Sequence, residues 1–265
     1  LINEQELLSK AGKAGGIARY LKHGMLGTTE SRKKGGLRAM TVMRAQKYSK
    51  FKFERTFHKS SKDSQLSEFI GILIGDGGIG QYQINISGCQ STDLDYRNYI
   101  LKLVKKLFKI NASVELKKDE DCWRIIISYI GLVKYLNDLG LPMGNKISHG
   151  INIPNWIKNN SKFLIACIRG IFDTDGSVYL DKHFIKNRSY ASINLAITSY
   201  STPLQETILE FLKENQFSPK LSGKMNTNIL IRRKKDVFRF FELIKPANKK
   251  HQQRYQKFLN CGEIA

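Results

Sequence analysis

No stretch of the chain approaches the ~18 unbroken apolar residues that a membrane-crossing helix needs, which excludes a helical membrane protein. The four cysteines, Cys89, Cys122, Cys167 and Cys261, stand far apart with no C-x-x-C pair. Neither a zinc site nor a disulfide framework is therefore expected, and reduced thiols in an intracellular protein are. A signal peptide is not recognisable, and the chain opens at Leu1 rather than Met, as a piece of a longer reading frame would. Acidic residues are scarce: 23 Asp and Glu face 44 Lys and Arg, for a formal charge of +21. That imbalance points to a polyanionic partner, of which nucleic acid is the commonest.

The charge is unevenly spread. Residues 1–62 carry +11, residues 63–155 are neutral, and residues 156–265 carry +10. A binding footprint fits this distribution better than a uniformly basic surface. The first 62 residues contain an internal echo, "AGKAGGIARYLK" (11–22) against "SRKKGGLRAMTVMR" (31–44), with a period of twenty. One expectation is two short helical pieces, each opened by a glycine pair whose bare amides approach phosphate, with Arg19, Lys33, Lys34 and Arg38 supplying charge. The other is a partly disordered basic tail.

From residue 63 the periodicities sharpen. "DSQLSEFIGILIGDG" predicts a short helix capped by Asp63 or Ser64. "QYQINIS" (81–87) alternates, with Tyr82, Ile84 and Ile86 on one face. The amphipathic helix "DLDYRNYILKLVKKLF" follows, then strands "ASVELKK" and "CWRIIISYI" and the helix "LVKYLNDLG". After "GNKISHGINIPNWI" the order begins again: helix 161–176, strands "SVYLDKHF" and "ASINLAIT", helix "TPLQETILEFLKEN", strands "SPKLSGK" and "NILIRRK", and helix "DVFRFFELIK". The predicted fold is α+β, a tandem of two αββαββα units over 63–155 and 156–265 behind a basic extension, 1–62.

Within "FIGILIGDGGIG" (69–80), Gly75-x-Gly77-x-x-Gly80 spells the glycine fingerprint of a dinucleotide turn. That turn must leave a strand and open into a helix, whereas here an apolar helix precedes it and a period of two follows. Asp173-x-Asp175-Gly176 begins like a calcium loop, but Val178 and Phe184 stand where such a loop needs Gly and Glu. What the two units share is an apolar helix ending in Asp-Gly, at Asp76 and Asp175. An acidic residue at a helix C-terminus meets partial negative charge and is disfavoured there, so its repetition points to use. Gly71 and Gly75 in one helix, and Gly170 and Thr174 in the other, put small residues one turn apart. The helices can then approach closely and bring both carboxylates together, where a divalent cation would relieve their repulsion. Hard oxygen ligands suit Mg²⁺.

These segments, "FIGILIGDG" (69–77) and "IRGIFDTDG" (168–176), resemble the two motif copies of single-chain LAGLIDADG homing endonucleases, over roughly residues 63–260. Ile74 departs from the pattern where the family often has Asp; the acidic position Asp76 is kept. The resemblance implies a metal-dependent phosphodiesterase that binds double-stranded DNA as a monomer and cuts both strands of a long asymmetric site, with an intron-encoded origin common in the family. It implies Asp76 and Asp175 as the catalytic, metal-binding pair, with Gly75 and Thr174 beside them at the metal, and Mg²⁺ replaceable by Ca²⁺ or Mn²⁺. Basic partners near the scissile phosphates fall on Lys146 and on Lys250 or its neighbour Lys249. DNA contacts would come from the polar strand faces, Gln81, Gln83, Asn85, Ser87, Ser192, Asn194 and Thr198, and from Lys117, Arg124, Lys224, Arg232 and Lys234 on the outer strands. A relative that has lost cleavage, acting as an intron-splicing maturase or a DNA-binding regulator, is the alternative.

Overall fold

The computed structural model describes residues 4–24, 27–45, 55–117, 120–185 and 188–261. The chain divides into two compact units, Leu1–Phe53 and Glu54–Ala265. No helix among the described residues is long and apolar enough to cross a membrane.

The first unit holds two helices, α1 (Glu4–His23) and α2 (Thr29–Ala45). The two-copy echo is thus two helices, but the glycine pairs do not open them. Gly15 and Gly16 lie in mid-α1 and Gly35 and Gly36 in mid-α2, where their amides belong to the helical ladder rather than to an anion. From residue 11 on, every described side chain of the unit is exposed, including Ile17, Leu21 and Leu37.

The second unit runs α3 (Ser64–Gly75), β1 (Gly77–Ile79), β2 (Ile84–Cys89), α4 (Leu94–Phe108), β3 (Ser113–Lys117), β4 (Cys122–Ile127), α5 (Ile130–Asp138) and α6 (Asn155–Lys158). It then repeats with α7 (Ser161–Asp175), β5 (Gly176–Ile185), β6 (Arg188–Thr198), α8 (Thr202–Glu214), β7 (Lys220–Ser222), β8 (Asn228–Ile231), α9 (Lys234–Ile244) and α10 (Lys249–Cys261). The predicted αββαββα order occurs twice, with α6 and α10 as additions. Both sheets are antiparallel and share one strand order, β1-β2-β4-β3 and β5-β6-β8-β7, as a pseudo-twofold tandem requires.

Local chemistry accounts for the element ends. Asp63 accepts from the Leu66 amide at 2.8 Å and opens α3; Asn160 accepts from the Lys162 and Phe163 amides and opens α7. The glycines after Asp76 are themselves a strand, with Gly77 opposite Ile86 and Gly78 opposite Asn85. The Gly80 amide donates to the Gln83 carbonyl at 2.8 Å, so Gln81 and Tyr82 sit in a hairpin turn. Tyr82, expected on the buried face of a longer strand, is therefore 57% exposed. Along β2 and β4 the alternation holds: Ile84, Ile86, Trp123, Ile125 and Ile127 are buried and join one core with α3, α4 and α5.

The helices α3 and α7 meet at their small residues. A Cβ on Gly71 would collide with the Cys167 carbonyl and stand 3.1 Å from the Ile171 amide, and one on Gly170 would collide with the Glu68 carbonyl and stand 2.7 Å from the Ile72 amide. Each helix thus lays backbone on backbone at the other's glycine. Beside this contact, Glu68 is buried and accepts from Tyr99 Oη at 2.5 Å and from Arg169 Nη1 at 3.2 Å. Arg169 Nε donates in turn to the Ile244 carbonyl at 2.7 Å. Burial pushes the Glu68 carboxyl up, while Tyr99 and Arg169 pull it back. One carboxylate in the first half is thereby tied to an arginine in the second.

Candidate active site

Asp76 is the residue that ends α3, and Asp175 is the last of α7. Because the helices converge at Gly75 and Thr174, both acidic ends arrive at one place. An ideal Cβ on Gly75 would lie 3.4 Å from Asp175 Cγ and would collide with Thr174 Oγ1. Thr174 Oγ1 is turned back into its own helix, donating to Gly170 O at 2.9 Å or Ile171 O at 3.0 Å.

Electrostatics records the convergence. Burial pushes the Asp175 carboxyl up to about 7; the Asp76 charge adds to the push and Lys146 opposes it. Asp76 keeps an exposed side chain, yet the protein mass on its inner side also raises it, against the pull of Lys146 and Lys250. Oxygen donors alone, two of them carboxylates that crowd each other, match the chemistry of a hard divalent cation. Among the described residues no cluster of three or more His, Cys, Asp or Glu could hold a metal, so a cation here would complete its shell with water or phosphate oxygens.

The half-buried Lys146 reaches the end of α3. Its Nζ donates to the carbonyls of Ile74 at 2.6 Å, of Gly77 at 3.0 Å and of Gly75. A cation on the exposed carbonyls of a helix end is favoured by the macrodipole. Burial pulls the Lys146 ammonium down, while Asp175 and then Asp76 hold it up. The Gly75 carbonyl expected beside a metal already accepts this ammonium.

On the other side the lysine is held differently. Asp173, buried at the position matching Ile74, accepts from the Ala247 amide at 2.9 Å and the Asn248 amide at 3.1 Å. Asn248 Nδ2 then donates to the Asp173 carbonyl and to Asp93 Oδ1, both at 3.0 Å. Lys250 Nζ lies 2.9 Å from Asp93 Oδ1 and 3.2 Å from Oδ2. Lys249 instead pairs with Asp95 at 3.1 Å, and both partners are exposed. Of the two lysines, Lys250 is the one whose charge bears on Asp76. Burial pushes Asp173 up to about 7 against the two amides, and His251 down to about 4.

The expected polar face is partly assembled. Asn85 and Ser87 alternate with buried Ile84 and Ile86; Ser87 lies opposite Arg124, and Lys117 lies opposite Cys122 on the same side. Arg124 is also 3.9 Å from Glu115, and Lys117 pairs with Glu120 at 2.8 Å. In the second half, Ser192 and Thr198 are half-buried, whereas Asn194, on the same face by register, is only 3% exposed. Strand alternation predicts a side, not depth, and Asn194 is not open to a ligand. Lys234 is not on an outer strand. It begins α9, with its ammonium 5.8 Å from the ring centres of Phe238 and Phe258. Lys224 begins a 3-10 turn before β8; its side chain lies outside the described residues. Arg232 is exposed just after β8, and Gln81 and Gln83 are exposed at the β1–β2 turn. Arg19, Lys33, Lys34 and Arg38 are exposed on α1 and α2.

No protein-family model matches the sequence. Over 232 residues the chain is 27% identical to the replication factor C small subunit of Methanocaldococcus jannaschii; the match covers 83% of this chain but spans only 12% of that protein. Solved structures show the fold. The I-LtrWI LAGLIDADG homing endonuclease bound to target DNA superposes with a TM-score of 0.52 at 12% identity, covering 75% of this chain and 89% of that one. I-SmaMI bound to its uncleaved DNA target in the presence of calcium ions gives 0.51 at 12% identity, covering 76% and 90%. The N-terminal LAGLIDADG domain of DUF199/WhiA gives 0.50 at 17% identity, covering 72% and 87%. The second unit therefore has the LAGLIDADG homing-endonuclease fold.

Proposed function

We propose that this chain is a site-specific DNA endonuclease that hydrolyses both strands of a long asymmetric duplex, acting as a monomer with Mg²⁺, for which Ca²⁺ or Mn²⁺ can stand in at the site. The meeting of Asp76 and Asp175 at the ends of two glycine-packed helices, one from each half, carries the proposal. Those carboxylates, with the carbonyl ends of α3 and α7 at Gly75 and Thr174, would hold the cation. When bound, a divalent cation neutralises the reacting phosphate and stabilises the leaving 3′-oxygen. Lys146, whose charge bears on both carboxylates, and Lys250, whose charge bears on Asp76, would offer positive charge to the reacting phosphates. Water is the nucleophile, and no His, Ser or Cys is needed.

The polar faces of the two sheets would read the duplex. Asn85, Ser87, Lys117 and Arg124 serve the first half, with Gln81 and Gln83 at the hairpin tip; Ser192, Thr198 and Arg232 serve the second. Amide and guanidinium groups can pair with adenine and guanine edges in the major groove. Because these two faces differ, the target is not a palindrome, and each half covers roughly ten base pairs, one turn of duplex. Arg19, Lys33, Lys34 and Arg38 on the N-terminal helices add phosphate contacts. Support comes from the shared fold, the net charge of +21 and the two structural neighbours solved with bound DNA.

One observation favours a second reading, DNA binding without cleavage: the Lys146 ammonium already sits on the carbonyl end of α3, bonded to Ile74 and Gly77 on either side of the metal position. Incubating the protein and Mg²⁺ with a pool of randomised duplexes separates the two. Cut ends that share one sequence support the nuclease, and a single bound but intact sequence supports the binder.

A further inference from the structure

Cys89 ends β2 and Cys122 begins β4, and the two stand directly opposite each other in the ladder. The pair is of the close, non-hydrogen-bonded kind. The Ser87 amide is directed to β1, donating to the Asp76 carbonyl, and the Gln90 amide donates to the Asp121 carbonyl. Bonded and non-bonded pairs alternate along an antiparallel ladder, so with Gln90 opposite Asp121 bonded, Cys89 opposite Cys122 is not. In such pairs the Cα atoms are ~4.5 Å apart, inside the range a disulfide spans. Both thiols are on the outer face: the intervening positions, Gly88 and Trp123, are turned inward, and both cysteines are half-buried.

The surroundings favour reaction at Cys89. Its Sγ lies 3.2 Å from Ser91 Oγ and 3.0 Å from Asp121 Oδ2. Hydrogen bonds from Ser91 and Thr92 pull the thiol's pKa down, with Asp121 opposing. Cys167, by contrast, is fully buried and its thiol is pushed up, which makes it inert.

We propose that Cys89 and Cys122 are a redox modification site, closing reversibly into a cross-strand disulfide on the outer face of the first sheet. With a glutathione disulfide as oxidant, the Cys89 thiolate attacks one of its sulfurs, forming a mixed disulfide and releasing one glutathione thiolate. The Cys122 thiolate then attacks Cys89 Sγ and expels the second. Two cysteine thiols are oxidised by two electrons, one glutathione disulfide is reduced to two glutathiones, and the two thiol protons end on them. Because Ser87 and Arg124 form the next outward pair along the same strands, the site borders the face assigned above to DNA. That further consequence rests on the proposed function.

The test is oxidation of the full chain with glutathione disulfide, followed by thiol counting after denaturation and by mass mapping of non-reduced tryptic peptides. Cleavage at Arg97 puts the two cysteines on separate peptides. The expected result is a fall from four free thiols to two and one cross-linked peptide joining Cys89 to Cys122, reversed by dithiothreitol and absent in Cys89→Ser and Cys122→Ser. Four thiols remaining, glutathione left singly on Cys89, or a cross-link to Cys167 or Cys261 would overturn it. Bound target DNA is expected to slow the cross-link; an unchanged rate with the cross-link still forming would count against the DNA face while leaving the disulfide standing.

Discussion

Asp93 and Lys250, one from each half of the fold, form a partly buried ion pair, with Nζ 2.9 Å from one carboxylate oxygen and 3.2 Å from the other. Among the described residues Lys146 makes no such ion pair and bonds instead to the carbonyls at the end of α3. The two lysines are therefore held by unlike means. Asp93→Asn is expected to loosen Lys250 and the one Asn248 bond that Asp93 accepts, without touching Lys146, and to slow one strand's cleavage by about 10- to 100-fold, the scale of a misplaced reacting group. Nicked plasmid should then accumulate, while target affinity changes little. Equal slowing of both strands would show that Asp93 does not act through Lys250.

The close approach of α3 and α7 predicts a stability cost with a specific location. Gly71→Ala drives a methyl into the Cys167 carbonyl, and backbone cannot give way as a side chain can. A drop of about 1–3 kcal/mol is expected by chemical denaturation, as for other overpacked sites. Gly78→Ala, whose Cβ would meet nothing within 4 Å, should stay near wild type.

Much of this is legible in the sequence because it is written twice. The apolar helix ending in Asp-Gly occurs in both halves, and its repetition distinguishes Asp76 and Asp175 from ordinary helix ends. Residues that occur once are not legible. Asp93 caps α4 where Ser201 caps α8, so no echo marks it. Asn248 and Asp173 matter through a hydrogen-bond path from residue 173 to residue 248 that no periodicity reveals. The expectation for Asn194 fails because alternation gives the face of a strand and not what covers it. The expectation for the glycine pairs of α1 and α2 fails because glycine's freedom does not oblige a break, and a helix tolerates glycine at ~1 kcal/mol each.

The raised Asp175 carboxyl has a consequence for pH. Its folded value of about 7 lies above the ordinary 3.8, so between these the folded chain holds a proton that the unfolded chain releases. Its contribution to stability therefore falls as pH rises from about 4 to about 7. Asp173 slopes the same way and His251 the opposite way, but both remain when Asp175 is replaced and cancel in the difference. Without divalent cation, Asp175→Asn should match wild type in melting temperature near pH 4 and exceed it near pH 7. Adding Mg²⁺ at pH 7 should raise wild type more than the variant. A difference that does not grow with pH would remove the electrostatic argument.

The N-terminal helices carry exposed basic side chains, whose charge a polyanion can neutralise. Removing residues 1–53 is expected to weaken DNA binding and to flatten the dependence of log affinity on log salt, by about 0.9 for each phosphate that this unit neutralises. An unchanged slope would separate this unit from DNA.

The most direct measurement compares wild type with Asp175→Asn on the duplex selected from the randomised pool, scoring binding and cleavage together in Mg²⁺. The account predicts double-strand breaks by wild type at one asymmetric site, and an Asp175→Asn protein that binds the same site and leaves it uncut. Tight binding by wild type with no cleavage, or equal cleavage by both proteins, would contradict it.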